Sequence, residues 1–244
     1  MEPVISKVAL KEITDLRKKF LAEIKIEFIL DKAHLYGWAD SYVFSIDQVK
    51  AGYGCVWGKD NREDRDTIFE FYIEPPFRDE TSQIFVKFMN TSGVSFIECQ
   101  TNDPFLAPMF FGHTKDINVE AVLFEEDFKS SLSIEGTKLE SKQDPEASQF
   151  DKQYILTHNG EPVASGGLML NYNFPYADIY YGVEEQHRQK GFGSFIVQEL
   201  KKAAYDMGRV PSARCNIDNS ISKKTMMKAG LKPCGWRLGG KVKK

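Results

Sequence analysis

The chain predicts an α/β fold built on a mixed sheet, α+β in character, and laid down twice. Three observations carry this. A strand-like run at 179–183, Ile-Tyr-Tyr-Gly-Val, meets a glycine-bearing turn and an amphipathic helix pattern over 194–207. Two pairs of β-rich runs, 42–47 with 49–56 and 154–161 with 162–170, read as hairpins. The succession hairpin, strand, Arg-containing turn, helix, strand, short helix then appears in each half, at an offset drifting from about 110 to about 116 residues. A period that long points to a duplicated domain with insertions rather than a solenoid.

The elements follow in order. Residues 7–24 place Leu10, Ile13, Phe20, Leu21 and Ile24 at helical spacing and predict an N-terminal helix. After the first hairpin comes a strand run at 67–73, closed by Pro75-Pro76-Phe77-Arg78. Ile84, Phe85, Phe88 and Met89 share one helical face over 82–89. Cys99-Gln-Thr-Asn-Asp103 enters a short helix, with Asp103-Pro104 suited to the N-cap and first helical positions. Residues 126–150 are polar, hold Pro145 and show little periodicity, so they read as a linker between lobes at 1–125 and 151–244. The second lobe repeats the scheme with a strand at 178–183 and the helix at 194–207, capped by Gly208. A strand at 212–217 follows, and Cys215-Asn-Ile-Asp-Asn219 echoes the earlier cysteine segment. Beyond Leu231 there is chain for one strand.

Composition narrows the function. With 244 residues, 42% hydrophobic and 27% charged, the chain is a globular protein of one large or two ordinary domains. A net charge of −3 argues against a nucleic-acid partner, and the basic tail 237–244 reads as solvated. No segment reaches the ~20 apolar residues of a membrane span. Cys55, Cys99, Cys215 and Cys234 lie far apart. With no leader-like N-terminus, they predict reduced thiols in a cytoplasmic protein. His34, His113, His158 and His187 are scattered, so no metal is expected.

The chemistry concentrates at Arg188-Gln189-Lys190-Gly191-Phe192-Gly193, followed by Ser194. A strand, a glycine turn and a helix N-terminus present unpaired N–H groups and the positive end of a helix dipole. Gly191 and Gly193 allow close backbone approach, and Arg188 and Lys190 add charge, so the turn suits a diphosphate. It lacks the Gly-Lys-Ser/Thr of a P-loop and the third glycine of a dinucleotide fingerprint.

Arg-x-x-Gly-x-Gly between strand and helix resembles the coenzyme A loop of the GNAT superfamily of N-acetyltransferases. The run from Asn219 through Met226 and Lys228 to Gly230-Leu231 resembles that family's second motif: Asn, six residues, Tyr, one residue, Lys, one residue, Gly-Phe. Asn219, Lys228 and Gly230 match; Met226 and Leu231 replace the two aromatics. Asn219 suits a helix N-cap and a cofactor contact equally.

The resemblance implies an acyl-CoA N-acyltransferase fold in tandem, with acetyl-CoA as co-substrate and no metal. It also implies direct attack of an amine, on a small molecule or a protein, in a ternary complex. Cofactor contacts then fall on Val183, Arg188, Gln189, Lys190, Gly191, Phe192, Gly193, Ser194 and Asn219. Candidate catalytic groups are Asp178 and Glu184 as base and Tyr181 on the strand; with Met226 in the tyrosine's place, a water, Tyr180, Tyr181 or Tyr205 would protonate the leaving thiolate. Asp178 and Glu184 also read as strand-end surface charges. The first half has Arg78-Asp79-Glu80-Thr81-Ser82-Gln83 at the corresponding turn, without glycine and with two carboxylates, so it reads as cofactor-silent. An unrelated first lobe is the other reading. A non-catalytic acyl-CoA-binding module stays open, as does transfer of a longer acyl chain, for which the small residues Ala164, Ser165, Gly166 and Gly167 would leave room.

Overall fold

The computed structural model describes residues 2–142 and 148–243. The chain divides into two compact units, Met1–Ile26 with Lys32–Glu120 and Trp236–Lys244, and Glu27–Asp31 with Ala121–Gly235.

In the first unit β1 (Val4–Val8), β2 (Ala39–Ile46), β3 (Val49–Trp57) and β4 (Thr67–Ile73) pair antiparallel in sequence. β5 (Phe96–Gln100) joins β4 in parallel, and residues 237–241 of a long C-terminal strand pair antiparallel with β5. Helices α1 (Thr14–Glu23), α2 (Asp31–Leu35), α3 (Thr81–Ser92) and α4 (Leu106–His113) complete it. Strands β3 and β4 are largely buried on both faces and mostly apolar, with Glu70 as the buried charge, which is why they sit mid-sheet. Phe44, Phe71, Phe85 and Phe88 make the core between sheet and α3.

The second unit repeats the plan. β7 (Thr137–Lys142), β8 (Asp151–His158), β9 (Glu161–Met169) and β10 (Tyr176–Val183) are antiparallel neighbours, and β11 (Val210–Asn216) joins β10 in parallel. Residues 121–124 of β6 (Thr114–Glu126) then pair antiparallel with β11. α5 (Phe192–Asp206) packs on β9, β10 and β11 through Phe195, Ile196, Leu200 and Ala204, and α6 (Ser220–Lys228) packs against α5. The same strand order with the same single parallel pair marks the duplication. Local contacts repeat too: Arg78 Nε donates to the Ile73 carbonyl at 3.3 Å, and Arg188 Nε to the Val183 carbonyl at 3.3 Å.

Several expectations change. The N-terminal helix begins at Thr14, because residues 4–8 pair with β2 and a 3-10 turn intervenes. The expected linker 126–150 is not one where it is described; residues 143–147, with Pro145, lie outside the described residues. Ser130 Oγ donates to Gln198 Oε1 at 2.9 Å, the Gln198 amide closes a pair with the Leu132 backbone, and β7 pairs along β8. Lys201 Nζ donates to the carbonyls of Phe128, Ala229 and Gly230 at 2.7, 3.2 and 2.8 Å, tying this segment to the end of α6. Nor do the units break at residue 125: 27–31 group with the second and 236–244 with the first. A single C-terminal strand does form, β12 (Leu231–Val242).

Asp103 Oδ1 accepts from the amides of Phe105 and Leu106 at 2.8 and 3.0 Å, but α4 begins at Leu106 with Phe105 at its N-cap, two residues later than the Asp103-Pro104 pair predicted. Burial pushes its carboxyl up to about 6, against those two hydrogen bonds. A raised folded value means stability falls as pH rises from the unfolded value of about 4 to about 6. Asp103→Asn keeps the acceptor and removes the charge. It is expected to equal the wild type at pH 4 and to exceed it by about 2–3 kcal/mol at pH 7, read by urea unfolding at the two pH values.

Candidate active site

The site grows from a separation of strands. β10 and β11 pair only from Tyr176↔Val210 to Ile179↔Ala213, while β10 stays paired with β9 through Val183↔Ala164. From Tyr180 onward one edge of β10 is therefore released on its β11 side. A pocket of about 210 Å³ occupies the opening, lined by residues that include Asp178, Tyr181, Arg214, Asn219, Ser222 and Met226. Alternation along the strands sorts them: Tyr181 and Val183 pack with the α5 core, as do Ala213 and Cys215. Asp178, Tyr180 and Arg214 occupy the intervening positions.

The turn closes beside this opening. Glu185–His187 is a 3-10 turn, Gln189 has φ 61° and Gly191 φ 90°. The left-handed Gly191 lets the chain turn into α5 without a side-chain cap. Among the described residues, the amides of Phe192, Gly193 and Ser194 have no protein partner; the first turn closes with Phe195 N–H on the Gly191 carbonyl at 3.1 Å. Arg188, Gln189 and Lys190 are exposed around them, while the Phe192 and Ser194 side chains are buried and leave their backbones to face outward. A Cβ on Gly193 would stand 3.2 Å from Thr225 Cγ2, 3.5 Å from Val183 Cγ2 and 3.6 Å from Tyr181 Cε2, so this residue faces the space between β10 and α6.

Asn219 caps α6, its Oδ1 accepting from Ser222 N–H at 2.9 Å, and it also lines the pocket. Tyr181 Oη and Ser222 Oγ lie 3.1 Å apart, a hydroxyl pair spanning β10 and α6. Met226 is buried and lines the same pocket. Of the other tyrosines, Tyr180 donates to Asp151 at 2.7 Å and Tyr205 to Glu126, both outside this hydroxyl pair. Cys215 also lines the pocket, but burial pushes its thiol up, away from the thiolate a nucleophile needs.

The two carboxylates part company. Glu184 is exposed, its amide bound to the Val163 carbonyl at 3.0 Å, and it does not line the pocket. Asp178 is 2% exposed, far from a surface charge, and its Oδ2 lies 3.4 Å from Arg214 Nη2. Arg214 and Ser222 are lining residues that the sequence reading missed, and for Arg214 there was a signal. The available signal was an arginine alternating with Ala213 and Cys215 in an otherwise apolar strand. Gly166 and Gly167 are sites of close strand approach: a Cβ there would fall 2.5 Å from the Tyr180 carbonyl oxygen and from Lys152 O, so neither gives acyl room.

In the first unit the corresponding separation, after Ile68↔Ile97, is filled. Phe105 packs edge-on against Tyr72 at 5.2 Å, Arg78 lies over the Phe105 ring at 5.0 Å, and Arg78 and Tyr72 both bind Glu23. His34, Cys55 and Glu70, scattered in sequence, converge here with potential ligand atoms within 4.8 Å of one another. Arg17 already holds the Glu70 carboxylate through two nitrogens, at 3.0 and 2.9 Å, and its cation opposes a metal in that place. No helix among the described residues is long and apolar enough to cross a membrane.

Comparison with known proteins agrees with this geometry. An acetyltransferase (GNAT) domain model matches residues 9–127, and an acetyltransferase (GNAT) family model matches residues 121–230. The chain is similar to a GNAT-family acetyltransferase from Colwellia psychrerythraea, at 15% identity and a TM-score of 0.77, over 98% of this chain and 100% of that one. It is also similar to a tandem GNAT protein from the clavulanic acid biosynthesis pathway, at 13% identity and TM-score 0.66, over 100% and 99% of the two chains. A GCN5-related N-acetyltransferase from Sphaerobacter thermophilus aligns at 11% identity and TM-score 0.56, over 84% and 81%. No curated protein sequence gives a significant match. The repeated strand order, the turn beside parted strands and two consecutive family matches place the chain in the GNAT acetyltransferase family, as a tandem member whose chemistry is acyl transfer from acyl-CoA.

Proposed function

We propose that the second unit moves an acetyl group from acetyl-CoA to an amine by direct attack in a ternary complex, and that the first unit binds no cofactor. The observation that carries this is the released edge of β10 next to the partnerless amides of Phe192, Gly193 and Ser194. Those amides, with Arg188 and Lys190, suit the cofactor diphosphate, and Gln189 and Gly191 shape the turn. Val183 and its neighbours offer main-chain groups to the pantetheine and the thioester carbonyl. Asn219 borders the pocket from α6.

Asp178, the carboxylate lining the pocket, takes a proton from the acceptor ammonium; the neutral amine then attacks the thioester carbon. Collapse of the adduct breaks the C–S bond, and the thiolate takes a proton from Tyr181 Oη. The proton left on nitrogen returns to Tyr181 through Ser222 or solvent, and Asp178 releases its proton to solvent, so the enzyme is restored. Tyr181 thus fills the role that Met226 cannot. Tyr181→Phe is expected to lower kcat by about 10- to 100-fold while acetyl-CoA affinity stays within about threefold. A thiol-release assay with an amine panel, beside calorimetric titration of acetyl-CoA, checks it. Acetyl-CoA binding with no thiol released on any amine would favour a non-catalytic binding module.

A further inference from the structure

Resting on that reading, we infer that the acceptor carries a carboxylate close to its amine, and that Arg214 binds it. The guanidinium is held in place before any ligand arrives. It lies 5.1 Å from the centre of the Tyr172 ring and 5.6 Å from that of Phe28, and Nη2 donates to Tyr172 Oη. Phe28 is brought there by the 27–31 segment, which Asn173 clamps: its Oδ1 accepts from Ile29 N–H at 2.9 Å and its N–H donates to the Ile29 carbonyl at 3.2 Å.

What is held so firmly is only partly used. Nη2 serves Tyr172 and stands 3.4 Å from Asp178, whereas Nε and Nη1 have no hydrogen-bond partner among the described residues. Arg17 in the first unit shows what a purely structural pair looks like, with Nε and Nη2 both engaged on Glu70 at 3.0 and 2.9 Å. Arg214 keeps its fork open on a pocket at the parted strands, and a planar fork matches a carboxylate.

The pocket selects among anions. Asp178 faces it, so a dianionic phosphate would meet a carboxylate with one guanidinium to offset it, while a monoanion is balanced. The volume of about 210 Å³ equals roughly seven waters, room for a small molecule. An amino-acid-like acceptor would set its carboxylate on Arg214 and its ammonium by Asp178, with the amine turned toward the released strand edge.

The test compares free amino acids with their carboxamides as acceptors in the thiol-release assay, using wild type, Arg214→Lys and Arg214→Gln. Acetyl-CoA titration of each variant reports folding. The wild type is expected to favour the free acids by at least 30-fold in kcat/KM. Arg214→Gln should reduce that preference to within threefold, mainly through KM, and Arg214→Lys should retain part of it. Arg214→Lys keeps a positive charge near Asp178, so a preference lower there than in wild type reports the lost fork rather than an unbalanced Asp178. Equal kcat/KM for acids and carboxamides in the wild type, or preference surviving Arg214→Gln, overturns this inference and leaves acetyl transfer standing. Bound acetyl-CoA with transfer to neither series but to other amines of the panel overturns this inference alone, and transfer to no amine at all overturns both.

Discussion

Gly193→Glu is expected to weaken acetyl-CoA binding at least a hundredfold, about 2.7 kcal/mol, with calorimetric titration as the measurement. The residue is the second of α5, and a side chain there enters the gap bounded by Val183, Tyr181 and Thr225. The new carboxylate would stand beside the partnerless amides of the first turn, where a diphosphate needs positive potential. The 3.2 Å approach to Thr225 also predicts mild crowding, so the melting temperature should drop by a few degrees rather than stay fixed. Thr81→Glu, at the start of α3, supplies the control. Phe105, Tyr72 and Arg78 already fill that cleft, so acetyl-CoA affinity should stay within twofold. Unchanged affinity in Gly193→Glu would remove the turn from the cofactor site.

The largest stability effect is expected at Glu70. Its carboxylate is 2% exposed and binds Arg17 through two nitrogens, Tyr53 Oη at 3.0 Å and His34 Nε2 at 3.4 Å. Burial alone would raise its pKa, but Arg17 and then His34 outweigh burial and hold the group well below the usual carboxylate range. Glu70→Gln leaves the Arg17 cation facing a neutral amide in a buried place and should cost about 3–5 kcal/mol at pH 7, read by urea unfolding. The sign of the pH dependence follows from the depressed value. The stabilisation is complete above the unfolded pKa of about 4.3 and fades on acidification toward the lower folded pKa. The gap between wild type and variant should therefore narrow below about pH 4. A gap independent of pH would show that Glu70 acts through shape rather than charge.

How much of this was legible depended on how local each signal was. The turn at 188–194 and the helix from Asn219 could be read because glycine spacing, an N-cap and a strand-to-helix switch are short-range chemistry. The hairpins were legible for the same reason. β1 was not: its exposed and half-buried residues carry no apolar alternation, and it is fixed by pairing with β2. α2, five residues long, is too short to show a period. β6 changes from exposed to buried at Ala121, so its first half reads as polar chain. Arg214 escaped, and the burial of the candidate base Asp178 with it, because both come from neighbours far away in sequence: Phe28, Tyr172 and the parted strands.

Connectivity limits what can be made of the molecule by cutting its gene. A fragment ending at codon 125 would take Phe28 and Ile29 away from Tyr172 and Asn173, and would strip β5 of its register partners Arg237 to Lys241. Neither product would hold all of its own strands and walls. A single cut in the chain therefore cannot give each unit all of its own residues.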